Sequence, residues 1–438
     1  MSKVLFFYCF AVLIGMVSYF NLQSQDLQQL STNDTNIIKN PSLTFLNLTV
    51  DPLLSPQSSA ESIITIQQAI GKGQDYLIGT KWFQEDGFWT GLGGKLLRLA
   101  KYIALEFPVD NWLIVVDHEY SGHGWVFRDA GIDNIKYKFD VPFPYGRGGG
   151  MTSFNLKDDN LNYFQYLTVA IGGNITESVL LDKYDMRWMS KGSIYYREAL
   201  LYLFSKFNTL GYLQSTPEDD DINQGGHDYA MYVSALVNPP GPEYPEEKEK
   251  VIKDMKKYYL LNILDPFFIF SALSVSDYFG DGIRIGELLT LDIAGIKYLP
   301  ALGMELTPFG FQYQIKNYVK HNESIYNLDI MVGDDTYYKS WGGAKININN
   351  IFYADNHSFD LKLSFWFQPD MEMKSDKTIS KEILPGLLIS SRVNQKLVFT
   401  ETNISLFIEL GYKTAGFEKG FSLESSPFIL FGFSFLDK

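Results

Sequence analysis

The sequence predicts an α+β protein, a helical N-terminal domain followed by a C-terminal antiparallel β-barrel or β-sheet. Two observations carry this expectation. From Ser62 to about Phe279 apolar residues recur at helical spacing, and after Gly280 the period changes from 3.6 to 2. A third supports it: aromatic residues make up 16% of the chain and concentrate toward its end, where a barrel needs them at strand ends.

The chain of 438 residues divides, on this reading, into four parts. Residues 1–24 contain Lys3 followed by an apolar or small run from Val4 to Phe20, and read as a secretory signal peptide; an uncleaved anchor is the alternative. Residues 25–60, rich in Ser, Thr, Asn and Gln, read as an extended lead-in. Residues 61–280 form the helical domain and 281–438 the strand domain. The single cysteine, Cys9, lies inside the signal, so the remaining chain cannot form a disulfide. Export without disulfides fits the bacterial outer membrane or periplasm.

The helical candidates are GLGGKLLRLAKYIALEF, DNWLIVVDHEYSGHGWVF, LNYFQYLTVAIGGNITESVLLDKY, YYREALLYLFSKF, HDYAMYVSALV and LLNILDPFFIFSALSV, amphipathic or apolar all round. A short strand at Ile135–Val141 and a glycine-rich loop, PFPYGRGGG, interrupt them. PYGRGGGMTSF is placed to serve as a lid or substrate-edge segment. In the last part, Ile404, Leu406, Ile408, Leu410 and Tyr412 alternate with polar residues, as do Phe359 to Phe367 and Ile429 to Phe435. Eight strands are countable, with a further one at 283–293. Segments of this length, apolar at every second position, suit a barrel spanning lipid, whose two faces see different solvents. A soluble sheet packed on the helices is the alternative.

A net charge of −14 and the lack of any helix with a Lys/Arg stripe argue against nucleic acid as a partner. No Gly-x-Ser-x-Gly elbow and no Walker-type phosphate loop appear. The chemistry concentrates instead in Val116–Gly124, VDHEYSGHG, which places His118, Glu119 and His123 in one apolar helix. Four residues advance a helix by about 400°, nearly a full turn, whereas five advance it by about 500° and would splay the rings. A π-type widening at Ser121-Gly122 brings them back to one face.

HEYSGHG resembles the HExxxH motif of the dipeptidyl peptidase III family and, more loosely, gluzincin zinc peptidases. That resemblance covers seven residues, and the paired-glutamate second motif of the family is not reproduced. It implies a helical metallopeptidase-like domain with Zn2+ as cofactor, His118 and His123 as metal ligands, Glu119 as general base and a glutamate ligand from a later helix. Glu177, an acid inside the apolar segment AIGGNITESVL, is the expected third ligand. Asp182, Glu198 and Asp228 rank behind it. Gly172 and Gly173 would let the two helices approach, and Asn174 could orient a ligand.

Asp117, Arg128 and Asp129 are candidates to hold the outer imidazole nitrogens. His227 and Tyr229 are candidate catalytic groups beside a developing oxyanion, unless Asp228 simply caps its helix. The acids from Glu218 to Asp221 read as a solvated turn rather than a calcium loop. The expected function is a zinc-dependent hydrolase of the bacterial envelope, cleaving a peptide or protein substrate and seated in outer-membrane lipid. The alternative is a non-enzymatic outer-membrane structural or transport-type protein whose helices plug or cap the barrel.

Overall fold

The structure, a computed structural model, describes residues 44–79, 91–154, 161–218, 227–240, 246–335, 337–354, 357–372, 379–380, 382–397 and 404–437. The expected signal peptide and almost all of the acidic turn near 220 lie outside these residues. The protein is α+β, and its sheet has ten antiparallel strands.

The chain enters on strand β1 (Thr44–Val50) and helix α1 (Pro56–Ile78). Pro56 at the first helical position and Ser55, whose side chain accepts from Ser58 N, start α1. Although Gln57, Ser58, Ser59, Glu61, Gln67 and Gln68 are polar, all are buried. Of the expected lead-in, residues 44–60 carry an edge strand and the start of this interior helix, and the rest lies outside the described residues. The polarity of the helix matches polar partners on both sides, which hides it from a hydrophobic pattern.

A continuous helical run follows: α2 (Leu92–Lys101), a π turn at Tyr102–Glu106, α3 (Phe107–Val116), a second π turn at Asp117–His123, and α4 (Gly124–Asp129). Strands β2 (Ile135–Phe139) and β3 (Gly150–Phe154) pair as a separate hairpin. Helix α5 (Tyr163–Ala170) opens on an Asn162/Gln165 capping box. Helix α6 (Gly172–Lys191) stops at Gly192, whose φ of 71° is left-handed. Then come β4 (Ser193–Tyr195), α7 (Tyr196–Gln214), α8 (Asp228–Leu236), α9 (Lys248–Tyr259) and α10 (Pro266–Asp281).

The expected extra strand at 283–293 is two short ones, β5 (Ile285–Glu287), which pairs with β4, and β6 (Leu291–Ile293). The eight strands read from the alternation are all present: β7 (Ile296–Thr307), β8 (Gly310–His321), β9 (Ser324–Asp335), β10 (Lys339–Ala354), β11 (His357–Pro369), β12 (Ile383–Lys396), β13 (Ile404–Lys413) and β14 (Ser426–Asp437). They meander in sequence order, with β6 at one edge and β1 beyond β14 at the other.

That order corrects the barrel expectation, because β1 and β6 do not pair and the sheet is not closed. Its polar face is satisfied by helices instead. Arg392 of β12 pairs with Glu61 of α1 at 2.9 Å, and Lys183 of α6 reaches the same carboxylate at 2.7 Å. Lys316 of β8 pairs with Asp182 of α6.

The two faces of the sheet are inverted relative to an ordinary protein core. Val332, Ile346, Phe365, Ile389, Ile408 and Phe431 point outward and are 39–53% exposed, while Gln314, Asn327, Ser390, Arg392 and Glu409 point inward and are buried. The apolar core lies elsewhere, where Phe164, Tyr232, Ile252 and Met255 of the helices and Ile171 between α5 and α6 meet Leu306 and Trp341 of the sheet and Phe309 of the β7–β8 turn. Helices and strands belong to one compact unit, Leu43–Lys438. No single described helix is long and apolar enough to cross a membrane.

Candidate metal centre

The widened turn expected from the five-residue spacing is present over Asp117–His123. Gly124 N–H donates to Glu119 O, a step of five residues rather than four. The extra residue is absorbed in the backbone, so the rings of His118 and His123 lie on one face with centroids 4.9 Å apart.

Glycines set the distance to the next helix. A β-carbon on Gly122 would come within 2.7 Å of Gly172 O and Gly173 Cα, and one on Gly173 would come within 2.2 Å of the His118 ring. The start of α6 therefore packs directly on the π turn, as Gly172 and Gly173 suggested.

Each imidazole is held by its Nδ1. That of His123 lies 2.6 Å from Val169 O, and since a carbonyl only accepts, Nδ1 carries the proton. That of His118 lies 2.8 Å from Glu177 Oε1. The Nε2 atoms are thereby turned the other way, and both lie 3.3 Å from Asp228 Oδ2. Ligand atoms of His118, His123 and Asp228 all fall within 4.8 Å of one another, so the group can hold a metal ion.

This arrangement brings Asp228, rather than the expected Glu177, together with the two Nε2 atoms. Glu177 occupies the outer nitrogen of His118, and its oxygens also accept from Ser205 Oγ, Asn208 Nδ2 and Thr209 Oγ1. Such a carboxylate orients the ring and raises its basicity. Asp228, one of the rivals, supplies the converging oxygen. It is the first residue of α8, where the helix dipole favours a negative charge. It does not cap that helix, because the cap position is His227, which makes no side-chain cap bond. Asp228 N–H donates to Tyr212 Oη at 3.0 Å.

The charges fit a cation site whose protons an ion can displace. Burial would lower the His118 pKa, but hydrogen bonds and charge from Asp228 and Glu177 outweigh it and raise the value well above normal. At His123 burial is likewise outweighed, chiefly by Asp228. Burial works to raise the Asp228 pKa, and the two imidazoles reverse it and hold the carboxyl far below its usual range.

Glu119 sits on the same turn, 8% exposed, and accepts from Thr152 Oγ1 of β3 at 2.7 Å. The hairpin foreseen as a substrate edge thus touches the expected general base. Asp117, Arg128 and Asp129 do not hold the imidazoles. Asp117 accepts from Ser59 and Thr176, tying the π turn to α1 and α6; burial pushes its pKa up to about 7. Arg128 donates to Leu53 O and Tyr120 O, and Asp129 lies against Ser422.

His227 stacks on Tyr212 at 4.3 Å and faces Ser215 rather than the converging donors. Tyr229 is buried in the apolar core. Asn174 donates to Tyr259 Oη, and the other two rivals are spent on ion pairs, Asp182 with Lys316 and Lys419, Glu198 with Arg187. Tyr212, which the sequence did not single out, lies beside the site through Asp228. Comparison of the chain with protein-family models, curated proteins and solved structures gives no match.

Proposed function

We propose that the protein is a zinc-dependent hydrolase, most simply a peptidase, seated in the outer membrane of a bacterial envelope. The observation that carries the reading is the convergence of two Nε2 atoms and Asp228 Oδ2, with both opposite ring nitrogens anchored. Two imidazoles and one carboxylate leave a coordination position open, as hydrolytic zinc sites require. The HExxxH resemblance points the same way.

In this reading His118, His123 and Asp228 would hold zinc, which would supply Lewis acidity to the scissile carbonyl and acidity to water. Glu119 takes the proton of the attacking water and passes it to the leaving amine. Thr152 fixes the Glu119 carboxylate through its hydroxyl. Glu177 and Val169 O keep the ligating nitrogens aimed.

Support for the membrane seat comes from the outward apolar face of β9 to β14, because a water-soluble protein rarely exposes so contiguous an apolar surface. The helices packed against the polar face of the sheet favour a second reading, a structural or transport-type protein with a helical plug.

Metal analysis and turnover separate the two. Purified protein should contain one zinc per chain, Asp228→Ala should lose it, and Glu119→Gln should keep it while abolishing hydrolysis of a peptide library. Zinc-free wild-type protein, or hydrolysis indifferent to Glu119→Gln, would overturn the enzymatic reading.

A further inference from the structure

Between the polar face of the sheet and helices α1 and α6 lies a cavity of about 200 Å³, apart from the metal centre. Its walls are dense in charge, and most of that charge is already matched. Arg392 is shared by Glu61 and Glu409 at 2.9 and 2.8 Å. Lys183 pairs with Glu61, Arg187 with Glu198 and Lys345 with Glu418. Among the described residues of the lining, Lys362 is the cation that has neither an ion pair nor a hydrogen bond. Its Nζ lies 5.0 Å from the centre of the Phe421 ring, a weak substitute for an anion.

The residue opposite Lys362 across the β10–β11 ladder is Asn347. Directly opposed side chains in such a ladder are about 4.5–5.5 Å apart at Cβ. The orientation of the Asn347 amide is dictated from the far side. As a carboxylate facing Lys316 and Lys345, Asp329 accepts from Asn327 Nδ2 at 2.6 Å. Asn327 is then left with its oxygen toward Asn347, whose Nδ2 donates to it at 2.8 Å. The Asn347 oxygen is therefore the end of the relay, buried and without a partner. A flipped amide would set two acceptors against each other.

An ammonium without an ion pair and an amide oxygen without a donor, on directly opposed residues that both line the cavity, define a particular ligand chemistry. The first wants a negative oxygen and the second, whose oxygen is buried, wants a hydrogen-bond donor, and leaving both unmet is costly. We propose that this cavity binds an oxyanion that also carries an O–H group, with hydrogen phosphate or a phosphate monoester as the class, Lys362 donating to its charged oxygen and Asn347 accepting its hydroxyl proton.

The test compares two inorganic ions of similar size and charge. Titration calorimetry of the full chain in detergent should show saturable binding of phosphate. Sulfate, which has no O–H at neutral pH, should bind about tenfold more weakly, the worth of one hydrogen bond. Lys362→Met should abolish binding of both ions, and Asn347→Leu should reduce phosphate to the level of sulfate. Zinc content and thermal unfolding of each variant report whether it is folded, and zinc content is set by a different site. Equal affinities for the two ions, no saturable phosphate binding, or Lys362→Met binding as wild type would overturn the proposal; in those cases the ammonium simply turns onto the Asn347 oxygen.

Discussion

Glu177 Oε1 lies 2.8 Å from His118 Nδ1, on the side of the ring opposite the nitrogen that faces Asp228. Two acids therefore flank one imidazole with different duties, one orienting it and the other converging with its Nε2 on a position that could hold a metal ion.

The difference is measurable. Asp228→Asn should remove a ligand charge and abolish stoichiometric zinc, whereas Glu177→Gln should retain zinc with affinity about 10–100-fold lower. Competition against a chromogenic chelator reads both. A greater loss for Glu177→Gln than for Asp228→Asn would exchange their roles.

Gly173 provides a steric test of the same centre. A β-carbon there would sit 2.2 Å from ring atoms of His118, so Gly173→Ala should displace the ring and weaken zinc at least about tenfold. Gly122→Ala meets backbone instead, at 2.7 Å, and should destabilise the fold by about 1–3 kcal/mol in thermal unfolding, the usual range for overpacking.

Protonation of the centre gives a pH dependence whose sign follows from the shifts. The raised histidine pKa values stabilise metal-free protein fully below about 6.5, their unfolded value, and that contribution is lost as pH rises through the folded values. Asp228, depressed, contributes above about 3.9 and loses its contribution as pH falls through its folded value. Chelated protein should therefore melt at lower temperature at pH 9 than at pH 6. Zinc needs neutral imidazoles, so its stabilising increment should grow over the same interval and its uptake should release protons. Differential scanning calorimetry with and without chelator checks the first, and an unbuffered indicator assay the second.

The outer face of the sheet separates lipid from water as its surroundings. Ile408 and Phe431 are cross-strand neighbours, and both are exposed. Ile408→Lys should cost about 2–4 kcal/mol of folding stability in lipid if it lies near the bilayer centre. In water a surface change of this kind stays within about 0.5 kcal/mol. Unfolding titrations in liposomes, together with recovery from the membrane fraction, distinguish the two environments.

Much of the architecture was legible because alternation is a local property. All eight long strands follow from it, as does the shared face of His118 and His123 once a five-residue spacing is allowed a π turn. Closure was not legible. Period two fixes which side chains share a face but says nothing about whether the first and last strands meet, and here they do not. Strand β1 was missed because TFLNLTV is short and lies in a polar stretch, and α1 because its burial partners are polar.

The converging carboxylate shows the same limit at the scale of a site. Glu177 looked costly inside an apolar helix, and it is indeed satisfied at the centre, but by Ser205, Asn208, Thr209 and the outer nitrogen of His118. Asp228 reaches the inner nitrogens from a helix that begins after a polar stretch, a position no spacing rule marks. Val169 contributes only a carbonyl, which every residue has.

Strand β14 lies between β13, its neighbour in sequence, and β1, where Val50 sits opposite Phe431 and Leu48 opposite Phe433. The earliest described strand to leave the ribosome touches α1 at once, through Thr65 Oγ1 on Asn47 O, but waits for the last strand before its ladder can form. Contacts spanning nearly the whole chain are the slowest kind to form, and until they do both segments offer bare edges to other molecules.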